Sequence, residues 1–331
     1  MRKNLYFTFV SLVELAITAA FIWFLIYLFP TLDPNGYLFY GDAPHVHYLE
    51  QQVASTPAVV ARWIAYMLTA CLILPMMFTI LAELVRWQIN RRKEDKPLPV
   101  NDKSEEQVVR FDFHLKVQHY LIMIGVTVAG IFGLAQAFPD WAVSRWFVEE
   151  IWGGLEMKRQ FHHYFAYIVD FTVIYFIGYL AYKFLIKKEK LRAMLPSFKD
   201  FRDFFEMNLY ILGLRKEEPK YNRYTFGQKL DFYLIAVSIP TLSITGLVMH
   251  YTTVSEPIIT STGIALAAVI HRSVAIFLVW FILSVHFYYA HLAPGLFPVN
   301  TVILTGKMGK SRYQALFPLD KERLEGKNGG H

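Results

Sequence analysis

Residues 264–292 read IALAAVIHRSVAIFLVWFILSVHFYYAHL. Aliphatic and aromatic side chains fall all round this stretch, with no period-two alternation and no glycine or proline to interrupt it. A helix rises about 1.5 Å per residue, so such a run crosses a hydrocarbon core about 30 Å thick. Five more stretches have the same character, at about 5–29, 57–86, 112–137, 160–186 and 229–250. In a chain of 331 residues that is 55% hydrophobic, they predict an all-α integral membrane helical bundle with six transmembrane helices rather than a barrel.

Charge orients the bundle. Arg86, Arg91, Arg92, Lys93 and Lys96 follow the second stretch; Lys183, Lys187, Lys188, Lys190 and Arg192 follow the fourth; Lys307, Lys310 and Arg312 follow the sixth. The loops at about 30–56, 138–158 and 251–263 are nearly free of Lys and Arg. Positive-inside asymmetry therefore predicts a multi-pass membrane protein with both termini cytoplasmic and those three loops outside. The net charge of +6 is accounted for in this way, and no nucleic-acid partner is expected. The first stretch follows MRKN without a small-residue cleavage site and reads as a retained helix. The single cysteine, Cys71, excludes a disulfide within the chain and leaves no ligand set here for an iron–sulfur cluster or covalent c-type haem.

Three segments are expected. Residues 1–100 form a two-helix membrane block with a polar outer loop, 101–305 a four-helix core that holds nearly all the interesting histidines, and 306–331 a cytoplasmic tail. The charged link NRRKEDKPLPVNDKSEEQ joins the first two, and 187–228 carries amphipathic pieces such as FKDFRDFFEMNLYILGL suited to the membrane surface.

Of eleven histidines, eight lie in or beside the last four spans. Intramembrane ionisable groups are costly and usually functional, although capping or cross-bundle hydrogen bonding would explain any one alone. Depth groups four of them. His162 and His271 lie towards the outer face, and His119 and His286 towards the cytoplasmic face. Fifteen residues separate His271 from His286, a rise of about 22 Å and a net turn of about 60°. Both imidazoles thus point broadly to one side, as two stacked b-type haems with bis-histidine ligation require. A zinc or iron site would need ligands at one depth with carboxylates or thiolates nearby. Gly130 and Gly133 stand near the ligand-bearing face of the third span, where glycine admits either a flat macrocycle or a close helix neighbour. Lys158, Arg159 and Arg272 on the outer side, and Lys116 and Lys229 on the inner, are candidate partners for haem propionates or snorkelling side chains.

With these histidines in place, the chain resembles the cytochrome b (gamma) subunit of membrane-bound respiratory formate dehydrogenases and the related nickel–iron hydrogenase b subunits. The resemblance runs over about 110–315. It rests on VQHYLIMIGVTVAGIFG, KRQFHHYF, RYTFGQKLDFYL with SITGLVM, and IHRSVAIFLVWFILSVHFYYAHL followed by LTGKMGKSRY. It implies two haems b, one held by His162 and His271, the other by His119 and His286. It also implies a menaquinone site beside the inner haem, at Thr225, Gly227 and Gln228, with His286 lining it. Read alone, Gly227-Gln228 is a helix start with a polar side chain.

Three departures stand out. His271 and His286 are one residue further apart than the family spacing, so a bulge in the sixth span or a different haem tilt is expected. His163 stands where relatives have Pro, leaving a register ambiguity with His162. The first hundred residues have no counterpart in the shorter subunits. His250, His114 and His291 stay unassigned, with a third haem as one use for them.

The expected function is electron passage between an extracytoplasmic redox subunit (formate dehydrogenase, hydrogenase or multihaem cytochrome c type) and the menaquinone pool. A structural anchor whose haems carry no current is one alternative. Another is a haem-free membrane transporter with proton-relaying histidines, for which Asp170, Glu14 and Glu83 are the clear intramembrane carboxylates.

Overall fold

The computed structural model describes residues 2–28, 56–90, 99, 101–102, 104–138, 141–188, 191–293, 296 and 300–320. The polar loop with His45 and His47, the basic residues Arg91, Arg92, Lys93, Lys96 and Lys190, and His331 lie outside the described residues.

Among the described residues, six helices are long and apolar enough to cross a membrane: Tyr6–Tyr27, Val59–Ile89, Phe113–Ala137, Glu156–Ile186, Phe226–His250 and Thr252–Leu292. We call them the first to sixth spans. Their starts follow local chemistry. Asp112 caps the third span by accepting from the Leu115 N–H at 3.0 Å. Thr225 caps the fifth through a reciprocal box with Gln228. Gly153 and Gly154, both at positive φ, turn the chain into the fourth span several residues before the expected start. The sixth span also begins early, at Thr252, and breaks at Thr260 (φ 63°) before running on through Phe281.

Beyond Phe281 the sixth span is π-helical over Ile282–His286 and again over Tyr288–Leu292. A π-turn takes one residue more than an α-turn. One such turn therefore falls between His271 and His286, and it ends on His286.

The first two spans pack on the sixth. Phe21 and Phe24 lie against Trp280 with centroids 5.0 and 5.6 Å away. Tyr66 donates to the Leu25 carbonyl at 2.9 Å, and Tyr6 donates to that of Leu292. The third and fourth spans approach closely at Gly125, where a Cβ would meet Val169 Cγ2 at 2.8 Å.

One end of the bundle, here the basic end, gathers Tyr6, Ile89, Phe113, Ile186, Phe226 and Leu292. Two pieces cover it. The surface helix Phe198–Ile211 starts at a Ser197–Asp200 capping box. It is tied to the fifth span by Lys229–Asp200 at 2.9 Å and to the second by Arg86 donating to the Tyr210 carbonyl. The other is a two-stranded antiparallel ribbon, β1 (Gln107–Val109) with β2 (Lys307–Gly309), in which Val108 faces Met308. The helix Lys310–Leu316 follows it. Residues 306–320 of the expected tail thus fold onto the bundle. Arg110, 3% exposed, locks them there: its guanidinium lies 4.2 Å from the Phe317 ring centroid and 4.6 Å from that of Tyr224. Gly306 makes the close approach possible, with φ at 76° and a Cβ position only 2.3 Å from the Phe111 carbonyl oxygen.

Candidate functional site

The third and sixth spans bring His119 and His286 face to face near the basic end, with ring centroids 6.4 Å apart and planes at 33°. The fourth and sixth bring His162 and His271 together near the other end, at 6.2 Å and 73°. Imidazole nitrogens bind first-row metals at about 2.0 Å, and a ring centroid lies about 1.1 Å behind its nitrogen, so two imidazoles across one iron hold their centroids about 6.2 Å apart. Both pairs stand at that separation, and the histidines present fit bis-histidine haem ligation.

Three of the four rings are held through Nδ1, which leaves Nε2 as the nitrogen to offer a metal. His162 Nδ1 is 2.9 Å from the Ala129 carbonyl oxygen. His271 Nδ1 is 3.1 Å from the Leu242 carbonyl oxygen and 3.0 Å from Thr245 Oγ1. His286 Nδ1 meets both carboxylate oxygens of Asp231, at 2.8 and 3.0 Å. His119 Nδ1 is buried without a hydrogen-bond partner. Carbonyls and carboxylates in this position fix the tautomer and make the ligand more basic.

Sequence reasoning missed Asp231. The signal was there, an acid one turn inside the fifth span in FGQKLD, and it belonged beside Asp170, Glu14 and Glu83. The carbonyls of Ala129 and Leu242 leave no trace in side-chain pattern.

Glycines abut both outer ligands. A Cβ at Gly133 would stand 3.3 Å from His162 Cε1, and one at Gly246 3.4 Å from His271 Cε1. At Gly130 it would meet no heavy atom within 4 Å. Of the outer cations, Lys158 is 2% exposed, one turn before His162. Arg272 donates to the Ala137 carbonyl at 3.2 Å. Arg159 instead lies on the exposed face, paired with Glu156 at 3.1 Å. On the basic end Lys116 donates to the Thr305 carbonyl at 3.3 Å, and Lys229 is held by Asp200.

The remaining histidines sit differently. His163 packs on His250 at 4.3 Å between centroids, too close to admit an iron between them. His250 Nε2 lies 3.1 Å from the Tyr167 hydroxyl, and His114 Nδ1 lies 2.7 Å from that of Tyr175. His291 rests against Phe287 at 5.2 Å. Of the two neighbouring histidines, it is His162 whose ring lies 6.2 Å from that of His271.

Thr225, Gly227 and Gln228 sit at the start of the fifth span, with Gly227 and Gln228 exposed. Gln228 Oε1 accepts from the Thr225 N–H at 3.2 Å and from Arg110 at 3.0 Å. These three residues therefore build the helix start. Asp231, in the first turns of the same helix, joins it to His286.

Two facing imidazole pairs, stacked along an apolar four-helix set with three of their four outer nitrogens anchored, are what a membrane cytochrome of the b type needs. A family model described as prokaryotic cytochrome b561 matches residues 110–298, and the chain belongs to that family. It is a multi-pass membrane protein of a haem b-binding family. The matched segment contains all four histidines and stops short of the first two spans. No curated protein matches the chain.

Proposed function

We propose that this chain is a dihaem cytochrome b subunit that carries electrons between a redox partner at the end opposite the termini and menaquinone at the basic end. The basic end faces the cytoplasm under the positive-inside rule. The observation that carries the proposal is the pair of imidazole separations, 6.2 and 6.4 Å, at two depths of one bundle.

Haem b, when bound, supplies one-electron transfer. The protein's own residues hold and tune it. His162 and His271 hold the outer position with their Nδ1 atoms on carbonyls of the third and fifth spans. His119 and His286 hold the inner one, where the Asp231 carboxylate accepts from His286 Nδ1–H. Lys158 and Arg272 supply positive charge at the outer end, where propionates need partners. Gly227 and Gln228, exposed beside Asp231, form the approach for a quinone headgroup. The partner is of the formate dehydrogenase, hydrogenase or multihaem cytochrome c type. It would dock on the face around Trp141, Val143 and Trp146, all exposed.

The test is pyridine-haemochrome quantitation of the purified protein, followed by reoxidation of the dithionite-reduced cytochrome with a menaquinone analogue. Two haems b per chain, both reoxidised, are expected. One haem or none would overturn the ligand set. Two haems that ignore the quinone would leave a structural anchor.

A further inference from the structure

The first two spans lie outside the matched family segment. They carry polar chemistry into the apolar contact they make with the sixth span. Glu14, on the first span, is 1% exposed, and neither of its carboxylate oxygens has a hydrogen-bond partner. The buried apolar residues of the two spans, among them Phe7, Val10, Phe21, Met77 and Leu84, belong to one cluster. Glu83, on the second span, has a buried Oε2 that is likewise without a partner. Tyr288, on the sixth span, is fully buried, and its hydroxyl, like that of Tyr289, lies in hydrogen-bonding reach of Glu83. Both carboxylates act electrostatically on Tyr288 and on its neighbour Tyr289, and Tyr6 joins the same group.

Depth places this cluster level with the inner histidine pair. Glu14 is eight residues inside Tyr6, about 12 Å along the helix, and Glu83 is six residues before Ile89, about 9 Å. His286 is six residues before Leu292 and His119 six after Phe113, again about 9 Å each. A carboxylate in an apolar core keeps its charge only with a cation or several donors around it; otherwise it holds a proton. Here Glu14 has no hydrogen bond at all, and tyrosine hydroxyls stand next to Glu83.

We propose that Glu14 and Glu83 are proton-carrying groups through which the N-terminal helix pair delivers cytoplasmic protons to the basic-end quinone site. The inference rests on the quinone chemistry proposed above. Reducing one quinone to quinol consumes two electrons, arriving by way of the histidine-held haems, and two protons, which must enter from the basic end. Tyr288 and Tyr289, in hydrogen-bonding reach of Glu83 and two and three residues beyond His286, provide the hydrogen-bonding step from that carboxylate to the ligand-bearing helix. Tyr6 stands at the mouth of the first span, and Tyr221 and Glu218 lie in electrostatic reach of Glu83 from the covering segment. The extra spans thus have a chemical task that a bare membrane anchor lacks.

The experiment uses the full chain in proteoliposomes, comparing wild type with Glu14→Gln, Glu83→Gln and the double variant. Quinone-analogue reduction is driven by an artificial donor, and ferricyanide serves as a control acceptor that takes electrons without protons. Haem content and ferricyanide reduction are expected to stay at wild-type values, while quinone reduction in the double variant falls about tenfold or more. Redox-difference infrared spectra should show a carboxylic C=O band, shifted in D2O, that each single variant diminishes and the double variant lacks. Wild-type quinone turnover and an unchanged carboxyl band in the double variant would reduce the pair to structural carboxylates and overturn the inference. A wild-type protein inert to quinone with normal haem content would instead sink the functional reading itself. If the double variant folds poorly, Glu83→Asp, which keeps the carboxyl and shortens its reach, should retain the infrared band and part of the turnover.

Discussion

The two histidine pairs differ in what anchors their outer nitrogens: carbonyl and hydroxyl oxygens for His162 and His271, a full carboxylate for His286. An imidazole donating to a carboxylate gains negative character and favours ferric iron. Asp231→Asn is therefore expected to raise the potential of the inner haem by about 60 mV or more, the equivalent of about 1.4 kcal/mol for one electron. An optical redox titration would read it, with the outer haem as internal control; two unmoved potentials would refute the tuning. At Gly133 a Cβ would stand 3.3 Å from His162, so Gly133→Leu should displace that ring and cut outer-haem occupancy at least by half, leaving the inner haem bound. Partial loss read as one haem per chain in the haemochrome assay would agree; full dihaem content would not. Histidines were legible in the sequence because each is rare and expensive in an apolar helix. Asp231 was equally expensive and was overlooked because it lies in a motif already given another meaning. Gln228 shows the reverse: its oxygen is spent on the Thr225 cap and on Arg110, contacts that only the folded end of the bundle creates.

Helices were the most legible elements, since continuous apolarity needs no partner to be recognised. What sequence could not supply was their detailed winding. The sixth span absorbs its extra residue in the π-turn Ile282–His286, on which Leu283 faces outward at 52% exposure. Deleting Leu283 should convert this turn to α-helix and keep His286 opposite His119, with both haems retained; loss of the inner haem on deletion would show that the π-turn itself aims the ligand. The surface helix carries an exposed apolar stripe, Phe198, Phe201, Phe205 and Leu209, while Asp200 and Asp203 are buried toward the protein. That arrangement seats it in the lipid interface with its acids inward. Asp200 and Asp112 both lie outside the spans. Burial works against their charge, but Ser197 and Lys229 outweigh it at Asp200, and Tyr179, the Leu115 N–H and Lys183 do so at Asp112, holding both pKa values below the ordinary range. A native value below the unfolded one of about 3.9 gives stability that is present above about pH 4 and is lost as the pH falls through the native value. Thermal loss of the Soret band, followed against pH, should show this acid limb, and Asp112→Asn should flatten it while lowering the midpoint at neutral pH.

Across the whole molecule, the family segment and the N-terminal pair meet along the sixth span, through Phe21 and Phe24 on Trp280 and through Tyr6 on Leu292. A chain beginning at residue 99 is expected to keep both haems, because all four histidines and their anchoring partners lie beyond that point. Its thermal midpoint should drop, since Trp280 and Tyr288 lose their cover. Loss of both haems from the truncated protein would show that the pair belongs to the haem-binding fold. The ribbon at the basic end has a different bearing. Its strand Gln107–Val109 leaves the ribosome some two hundred residues before its partner Lys307–Gly309, and Arg110 waits equally long for Gly306 and Phe317. Until the last helix has been threaded into the bilayer there is nothing for that strand to pair with. Closing of the clasp therefore marks the completion of biogenesis, and a nascent chain stalled in translocation would display Arg110 and the Val108 edge to chaperones and proteases as the sign that it is unfinished.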